Sequence, residues 1–264
     1  MRLQPWLAGL TLGWAVLAGL SGCATATSAG TDIETASDES EARRRARLRL
    51  ELAVGYFEQG KTTIALDELK QVIALDSSFA EAYNLRGLIY MRLNDQSLAE
   101  ESFRRAASLN PRDANVLHNY GWLQCQQARY PEALRTFAQA LANPTYGGRA
   151  KTLMAQGVCE ARAGKRAEAE QSLLRAYELD AGNPVTGYNL ALLLMQRGEW
   201  ARAQFYIRRL NNSEFANAES LWLGIRVEQR LNNRVAVQQL AEQLKQRFPQ
   251  SREWTAFERG AFDE

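Results

Sequence analysis

Cysteine, histidine and proline are all scarce in this chain: its 264 residues include three cysteines, one histidine and six prolines. Three cysteines are too few for a disulfide framework, and one histidine without a neighbouring cluster of ligands makes a poor metal site. An excess of charge of one sign is also missing, since the formal net charge is +2. A nucleic-acid binder usually has a strong basic excess, so this balance argues against that function.

Runs of valine, isoleucine and threonine, which would indicate strands, do not occur. Alanine, leucine, glutamine, glutamate and arginine dominate instead, and these residues favour helices. The sequence has no phosphate-binding glycine loop, zinc-binding helix motif or nucleophile elbow. We therefore expect an all-α protein that is not an enzyme, with no catalytic residue, no metal, no cofactor and no small-molecule substrate.

The one long apolar run lies at the N-terminus, over residues 3–20. Its length suits the apolar region of a signal peptide better than a membrane-spanning helix. The run ends in Leu-Ser-Gly-Cys at residues 20–23, which resembles the bacterial lipobox. This resemblance implies that residues 1–22 are a lipoprotein signal peptide and that Cys23 carries the lipid, including palmitate. The alternative is an ordinary signal peptide followed by a cysteine without a role.

Ala24 follows the predicted lipidation site. In lipoproteins of enteric-type bacteria, an aspartate at this position retains the protein in the inner membrane. The resemblance therefore implies a lipid anchor in the outer membrane, with the protein facing the periplasm. Residues 23–40 are rich in serine, threonine, alanine and acidic residues, and this composition predicts a flexible tether between the anchor and the folded part.

Over residues 41–264 the chain repeats itself with a period of about 34 residues, which is the period of tetratricopeptide repeats (TPRs). The repeats start near residues 46, 80, 114, 150, 184 and 217. The second repeat shows the pattern well, with Gly87 and Ala99 as small residues, Phe103 as the large residue between two helices, and Pro111 at the end. Six repeats in register predict a right-handed superhelix of six TPR helix pairs. Aromatic residues near the C-terminus predict a final capping helix.

The first helix of each repeat, helix A, is expected to line the concave face of the superhelix. By the TPR resemblance, its inward positions form a protein-binding groove that consists of Asn84, Leu88, Met91, His118, Asn119, Trp122, Met154, Val158, Tyr188, Asn189, Leu192 and Met195. This lining is largely apolar, and exposed apolar surface of such extent typically marks an interaction site. The groove is expected to take an apolar or amphipathic segment of another protein. For each residue, the alternative is packing between neighbouring helices.

Cys125 and Cys159 lie in the A helices of adjacent repeats. Their expected role is that of buried small apolar side chains, and a disulfide between them is the alternative that an oxidising compartment would permit. His118 and Cys125 are seven residues apart in one helix with no third group to orient them, which argues against a catalytic pair. Between the third and fourth repeats, residues 143–149 contain a proline and two glycines and predict an irregular loop.

A lipobox, a short polar tether and six TPRs together resemble the family of type IV pilus biogenesis and stability lipoproteins called PilF or PilW, also described as pilotins. The insertion at residues 144–149 resembles that family too. The resemblance implies a monomeric protein that binds the secretin subunit of the type IV pilus. It would promote secretin assembly, pilus biogenesis and twitching motility. A periplasmic TPR scaffold for peptidoglycan or outer-membrane protein assembly remains the alternative.

Overall fold

The computed structural model describes residues 39–262, in which thirteen α-helices follow one another without a strand. The predicted signal peptide, the predicted lipidation site Cys23 and most of the predicted tether lie outside the described residues, as do residues 263 and 264. Between residues 39 and 262, no helix combines the length and the apolar character that crossing a bilayer would need.

The helices form six consecutive pairs and a short final helix. The A helices are α1 (Glu41–Glu58), α3 (Ala80–Arg92), α5 (Ala114–Gln126), α7 (Arg149–Arg162), α9 (Pro184–Gln196) and α11 (Ala218–Arg230). The B helices are α2 (Thr62–Leu75), α4 (Gln96–Leu109), α6 (Tyr130–Leu141), α8 (Arg166–Leu179), α10 (Trp200–Asn211) and α12 (Arg234–Arg247). Helix α13 (Arg252–Glu258) follows and contacts both α11 and α12. The prediction of an all-α stack of six TPR helix pairs with a capping helix is confirmed.

Polar side chains fix the start of several A helices. Asp113 precedes α5 and accepts hydrogen bonds from two backbone N–H groups of the first turn. Asn183 caps α9 by accepting a hydrogen bond from one backbone N–H group, that of Thr186, and it lies directly before the proline at the first position of the helix. Asn217 and Ser220 form a reciprocal capping box at the start of α11. Such caps satisfy N–H groups that have no partner within the helix, so the polar residues between repeats determine where each A helix begins.

Within a repeat, the two helices meet where a glycine of helix A faces a large side chain of helix B. A Cβ atom added to Gly87 would lie 2.6 Å from the Phe103 ring, and one added to Gly121 would lie 2.8 Å from the Phe137 ring. Both rings are fully buried. The glycines therefore allow a close approach of the two helices that any larger residue would obstruct.

Successive repeats pack through the A helix of the later repeat, which contacts both helices of the repeat before it. Each A helix contacts the A helix of the next repeat, from α1 with α3 through α9 with α11. In the part of the chain that the structure describes, no B helix makes such a contact with the B helix of the next repeat. The stack therefore curves with the A helices on its concave side and the B helices on its convex side.

Candidate protein-binding groove

The concave face carries most of the side chains that the sequence assigns to the groove. Ten of the twelve are partly exposed, namely Asn84, Leu88, Met91, Asn119, Trp122, Met154, Val158, Tyr188, Asn189 and Leu192. The other two, His118 and Met195, have exposed fractions of only 6 % and 7 %. They differ from the expectation of a groove lining, because they pack between the helices below the surface.

The apolar centre of the groove rests on the buried core. Trp122 packs against a cluster that contains Phe137, Cys125 and Cys159. Met154 and Val158 pack against the buried side chains between α7, α8 and α9. Each of these groove residues therefore has one side fixed by packing and another side in contact with solvent. A partner that covers the solvent side would gain apolar contact with little loss of side-chain freedom in the groove.

A cation lies over the aromatic ring of Trp122 at the centre of the groove. The guanidinium carbon of Arg162, at the end of α7, lies 5.3 Å from the centroid of the Trp122 ring. Arginine attracts the face of an indole ring electrostatically. The contact holds the Trp122 side chain in a defined orientation above the third and fourth repeats.

Two asparagines connect the second and third repeats along the groove. Nδ2 of Asn119 donates a hydrogen bond to Oδ1 of Asn84 at 3.0 Å. Their other amide atoms, Oδ1 of Asn119 and Nδ2 of Asn84, form no hydrogen bond with a described residue. One donor and one acceptor thus remain available to the backbone of a bound segment. Asn189 differs, because its Nδ2 donates to the carbonyl oxygen of Val185 at 2.8 Å.

A disulfide lies directly below the centre of the groove. Cys125 of α5 and Cys159 of α7 are 34 residues apart, and their Cα atoms lie 5.8 Å apart. Both side chains are buried, as expected, and they are also paired, which the sequence left open. The bond joins the A helices of the third and fourth repeats in the cluster on which Trp122 packs.

His118 belongs to a buried chain of hydrogen bonds that the sequence did not reveal. The hydroxyl of Thr152 lies 2.9 Å from Nδ1 of His118 and 3.0 Å from the hydroxyl of Tyr146. Tyr146 comes from the irregular loop between α6 and α7, so the chain joins this loop to two A helices. Burial, with a smaller contribution from Lys151, lowers the pKa of His118 to about 4. The imidazole is therefore neutral at pH 7.

The described residues offer no obvious place for a metal ion. Between residues 39 and 262, no group of three or more histidine, cysteine, aspartate or glutamate side chains comes close enough to hold one.

The groove ends in a pocket of about 430 Å³ between α9, α11 and α13. Tyr188 and Leu192 contribute to its wall, together with residues that the sequence did not single out.

The TPR pattern agrees with known family models. A model described as TPR repeat matches residues 55–94, and models described as tetratricopeptide repeat match residues 80–113, 102–135 and 121–184. With its six helix pairs and a concave face of partly exposed apolar residues, the chain is a TPR protein, a class whose fold serves protein interactions.

Comparison with individual proteins identifies relatives within this class. The type IV pilus assembly protein PilF of Pseudomonas aeruginosa is 28 % identical over 240 residues, which cover 91 % of this chain and 94 % of PilF. A crystal structure of PilW, a widely conserved type IV pilus biogenesis factor, matches with a TM-score of 0.76 and 29 % identity, over 80 % of this chain and 97 % of PilW. A structure of Pseudomonas aeruginosa PilF matches with a TM-score of 0.76 and 27 % identity, over 84 % of this chain and all of that one. These matches, over most of the length of each chain, support a type IV pilus biogenesis TPR protein similar to PilF and PilW.

Proposed function

We propose that this protein is a non-enzymatic outer-membrane lipoprotein, anchored through Cys23, that helps the secretin of the type IV pilus to reach the outer membrane and to multimerise. Its TPR groove would hold an apolar segment of a secretin subunit while the lipid keeps the complex at the membrane. Similarity to PilF over 91 % of the chain supports a role in pilus assembly. The row of partly exposed apolar residues on the concave face is the observation that carries the binding role.

The groove supports the proposal through its rigidity. Trp122, Met154 and Tyr188 are partly exposed on three successive A helices, α5, α7 and α9. Aromatic residues near the centre of an interface contribute most of the binding free energy in many complexes. Because core packing already restricts these three side chains and a disulfide joins α5 to α7, binding would order the partner segment more than the groove.

The proposed lipid would hold the protein at the membrane. A single acyl chain binds a membrane only marginally, and two or more hold a protein there stably. The lipidated Cys23 of a bacterial lipoprotein would carry more than one chain. A secretin subunit bound in the groove would therefore stay near the membrane in which it assembles.

His118 supports a structural role over a catalytic one. The side chain is 6 % exposed, and its Nδ1 is already engaged with the hydroxyl of Thr152. A neutral imidazole enclosed in this way cannot reach a molecule in the groove. This placement of His118 is consistent with the proposed role of the groove in binding.

A double variant tests the binding role directly. In cells that lack the native gene, we expect Trp122→Ala with Tyr188→Ala to reduce heat-resistant secretin multimers and twitching motility, while the amount of folded protein stays unchanged. The matched control is Phe205→Ala on the convex side, where the ring is 60 % exposed. Normal multimers with the double variant would contradict the groove hypothesis. Normal multimers in the complete absence of the protein, together with an envelope defect, would favour the alternative scaffold for another envelope-assembly complex.

A further inference from the structure

The pocket at the C-terminal end of the groove has a mixed lining of aromatic and charged side chains. Tyr188 and Leu192 of α9 form the side that continues into the groove. Trp222 of α11 forms another side, and its ring stacks on that of Phe262 with 5.5 Å between the centroids. A chain that lies along the groove can therefore extend into this pocket of about 430 Å³.

The pocket is lined by more positively than negatively charged side chains. Three arginines and two glutamates line it. Arg252 lies 3.0 Å from a carboxylate oxygen of Glu219 and 2.7 Å from one of Glu253, so both carboxylates pair with the same arginine. The two remaining arginines, Arg226 and Arg259, have no carboxylate partner among residues 39–262. The pocket consequently has an excess of positive charge at its surface.

Arg226 is held in place by the chain segment that follows α13. Its Nε donates a hydrogen bond to the carbonyl oxygen of Phe262 at 2.9 Å, which leaves its two Nη groups for other partners. The hydroxyl of Tyr188 has no hydrogen bond with a described residue. Burial and the nearby Glu219 raise the pKa of Tyr188, so this hydroxyl keeps its proton and remains a donor at neutral pH. Three sets of donors, from Arg226, Arg259 and Tyr188, therefore line one pocket.

We propose that this pocket binds an aspartate or glutamate side chain that lies next to an apolar residue in the partner segment. Arg226 and Arg259 would bind the carboxylate, and Trp222 and Leu192 would contact the neighbouring apolar side chain. Charge-assisted hydrogen bonds are about twice as strong as neutral ones, and arginine matches the geometry of a carboxylate. The inference rests on the proposed function of the groove and adds the chemistry that one end of the bound segment must have.

A peptide selection tests this specificity without knowledge of the natural partner. Random short peptides displayed on phage are selected on the full chain, purified in detergent. The same selection is made on Arg259→Gln and on a control variant, Arg175→Gln, which changes an exposed arginine of α8 that forms no hydrogen bond or ion pair with a described residue. We expect peptides with an acidic residue beside an aromatic or aliphatic one to be enriched by the wild type and by Arg175→Gln, and not by Arg259→Gln.

Binding measurements on one enriched peptide complete the test. Replacing its acidic residue with the corresponding amide should weaken binding to the wild type about tenfold or more, and binding to Arg259→Gln by much less. Equal enrichment of acidic peptides on Arg259→Gln, or no acidic enrichment on the wild type, would overturn the proposal. Enrichment of acidic peptides only after deletion of residues 263 and 264 would also overturn the proposal. It would mean that the chain's own acidic C-terminal residues occupy the pocket.

Failure of this inference remains distinguishable from failure of the groove itself. Peptides whose binding is lost in Trp122→Ala and unchanged in Arg259→Gln would leave the groove as a binding site and reject the acidic pocket. Thermal unfolding followed by circular dichroism shows whether each variant keeps its fold. Because Arg259 is exposed, we expect its substitution to leave the unfolding temperature unchanged.

Discussion

Nδ1 of His118 lies 2.9 Å from the hydroxyl oxygen of Thr152, which occupies the equivalent helix one repeat later. The contact is buried and connects α5 to α7, and Tyr146 extends it into the loop between α6 and α7. A titratable side chain thus lies at the interface between the third and fourth repeats. The stability of that interface is expected to depend on pH.

We expect the protein to lose stability as the pH falls from about 6.5 towards 4. The folded protein holds the pKa of His118 at about 4, so the unfolded chain, with a pKa near 6.5, binds more protons in this range. Between pH 7 and pH 5 the contribution of His118 should fall by about 2 kcal/mol. Urea unfolding at both pH values measures the difference.

His118→Gln is the control for this pH dependence. The variant should be less stable than the wild type at pH 7, because it disturbs the contact with Thr152, and it should lose less stability between pH 7 and pH 5. Carboxylates that titrate in both proteins cancel in the comparison. Equal losses in the two proteins would show that His118 is not the responsible group.

Gly87→Ala should destabilise the second repeat by about 1–3 kcal/mol, because the new Cβ would overlap the buried Phe103 ring. Gly55→Ala is a matched control in the interior of α1, where an added Cβ would meet nothing within 4 Å. It should be neutral or stabilise by up to about 1 kcal/mol, since alanine favours a helix over glycine. Chemical unfolding measures both, and equal effects would contradict the close contact between α3 and α4.

Replacing both Cys125 and Cys159 with alanine should lower the free energy of unfolding by about 2–4 kcal/mol, since the disulfide restricts the unfolded chain. A reducing agent should shift the unfolding midpoint of the wild type towards that of the variant and leave the variant unchanged. Mass spectrometry of the unreduced wild type, after thiol labelling, should find both cysteines protected. Free thiols at both positions would contradict the pairing.

Cys23→Ser should move the protein from the membrane fraction to the soluble periplasmic fraction, because the proposed lipid needs the thiol. Ala24→Asp should keep the protein on a membrane and shift it from the outer to the inner one in an enteric-type host. Fractionation with immunoblotting measures both variants. A Cys23→Ser protein that still sediments with the outer membrane would exclude lipid on this residue as the anchor.

The repeat architecture was predictable because each TPR encodes its packing locally. Gly87 and Phe103 lie sixteen residues apart in the sequence, and the same combination of small and large residues returns in the third repeat. Helices α3, α5 and α9 begin at Ala80, Ala114 and Pro184, where the periodicity also sets the repeat starts. Propensity, small residues and polar caps all indicate the same helix pairs, so the fold follows from short-range information.

The site was less predictable because it depends on how separate segments meet. Helical spacing places His118 on the inward side of α5, and it cannot tell an exposed position from one covered by Thr152 of the next A helix. Tyr146 reaches that position only because the loop between α6 and α7 turns inward. The C-terminal pocket likewise depends on the docking of α13 against α11, which brings Arg259 close to Tyr188. No short sequence pattern predicts either of these contacts between separate segments.

The unequal packing of A and B helices has a mechanical consequence. Among the described residues, the B helices of successive repeats do not contact one another, so they can move apart when the stack bends without losing a direct contact between them. The disulfide between Cys125 and Cys159 links the third and fourth repeats covalently and should limit bending between them. We therefore expect the stack to bend less between its third and fourth repeats than elsewhere, and a load on the groove would be borne at its middle by a covalent link.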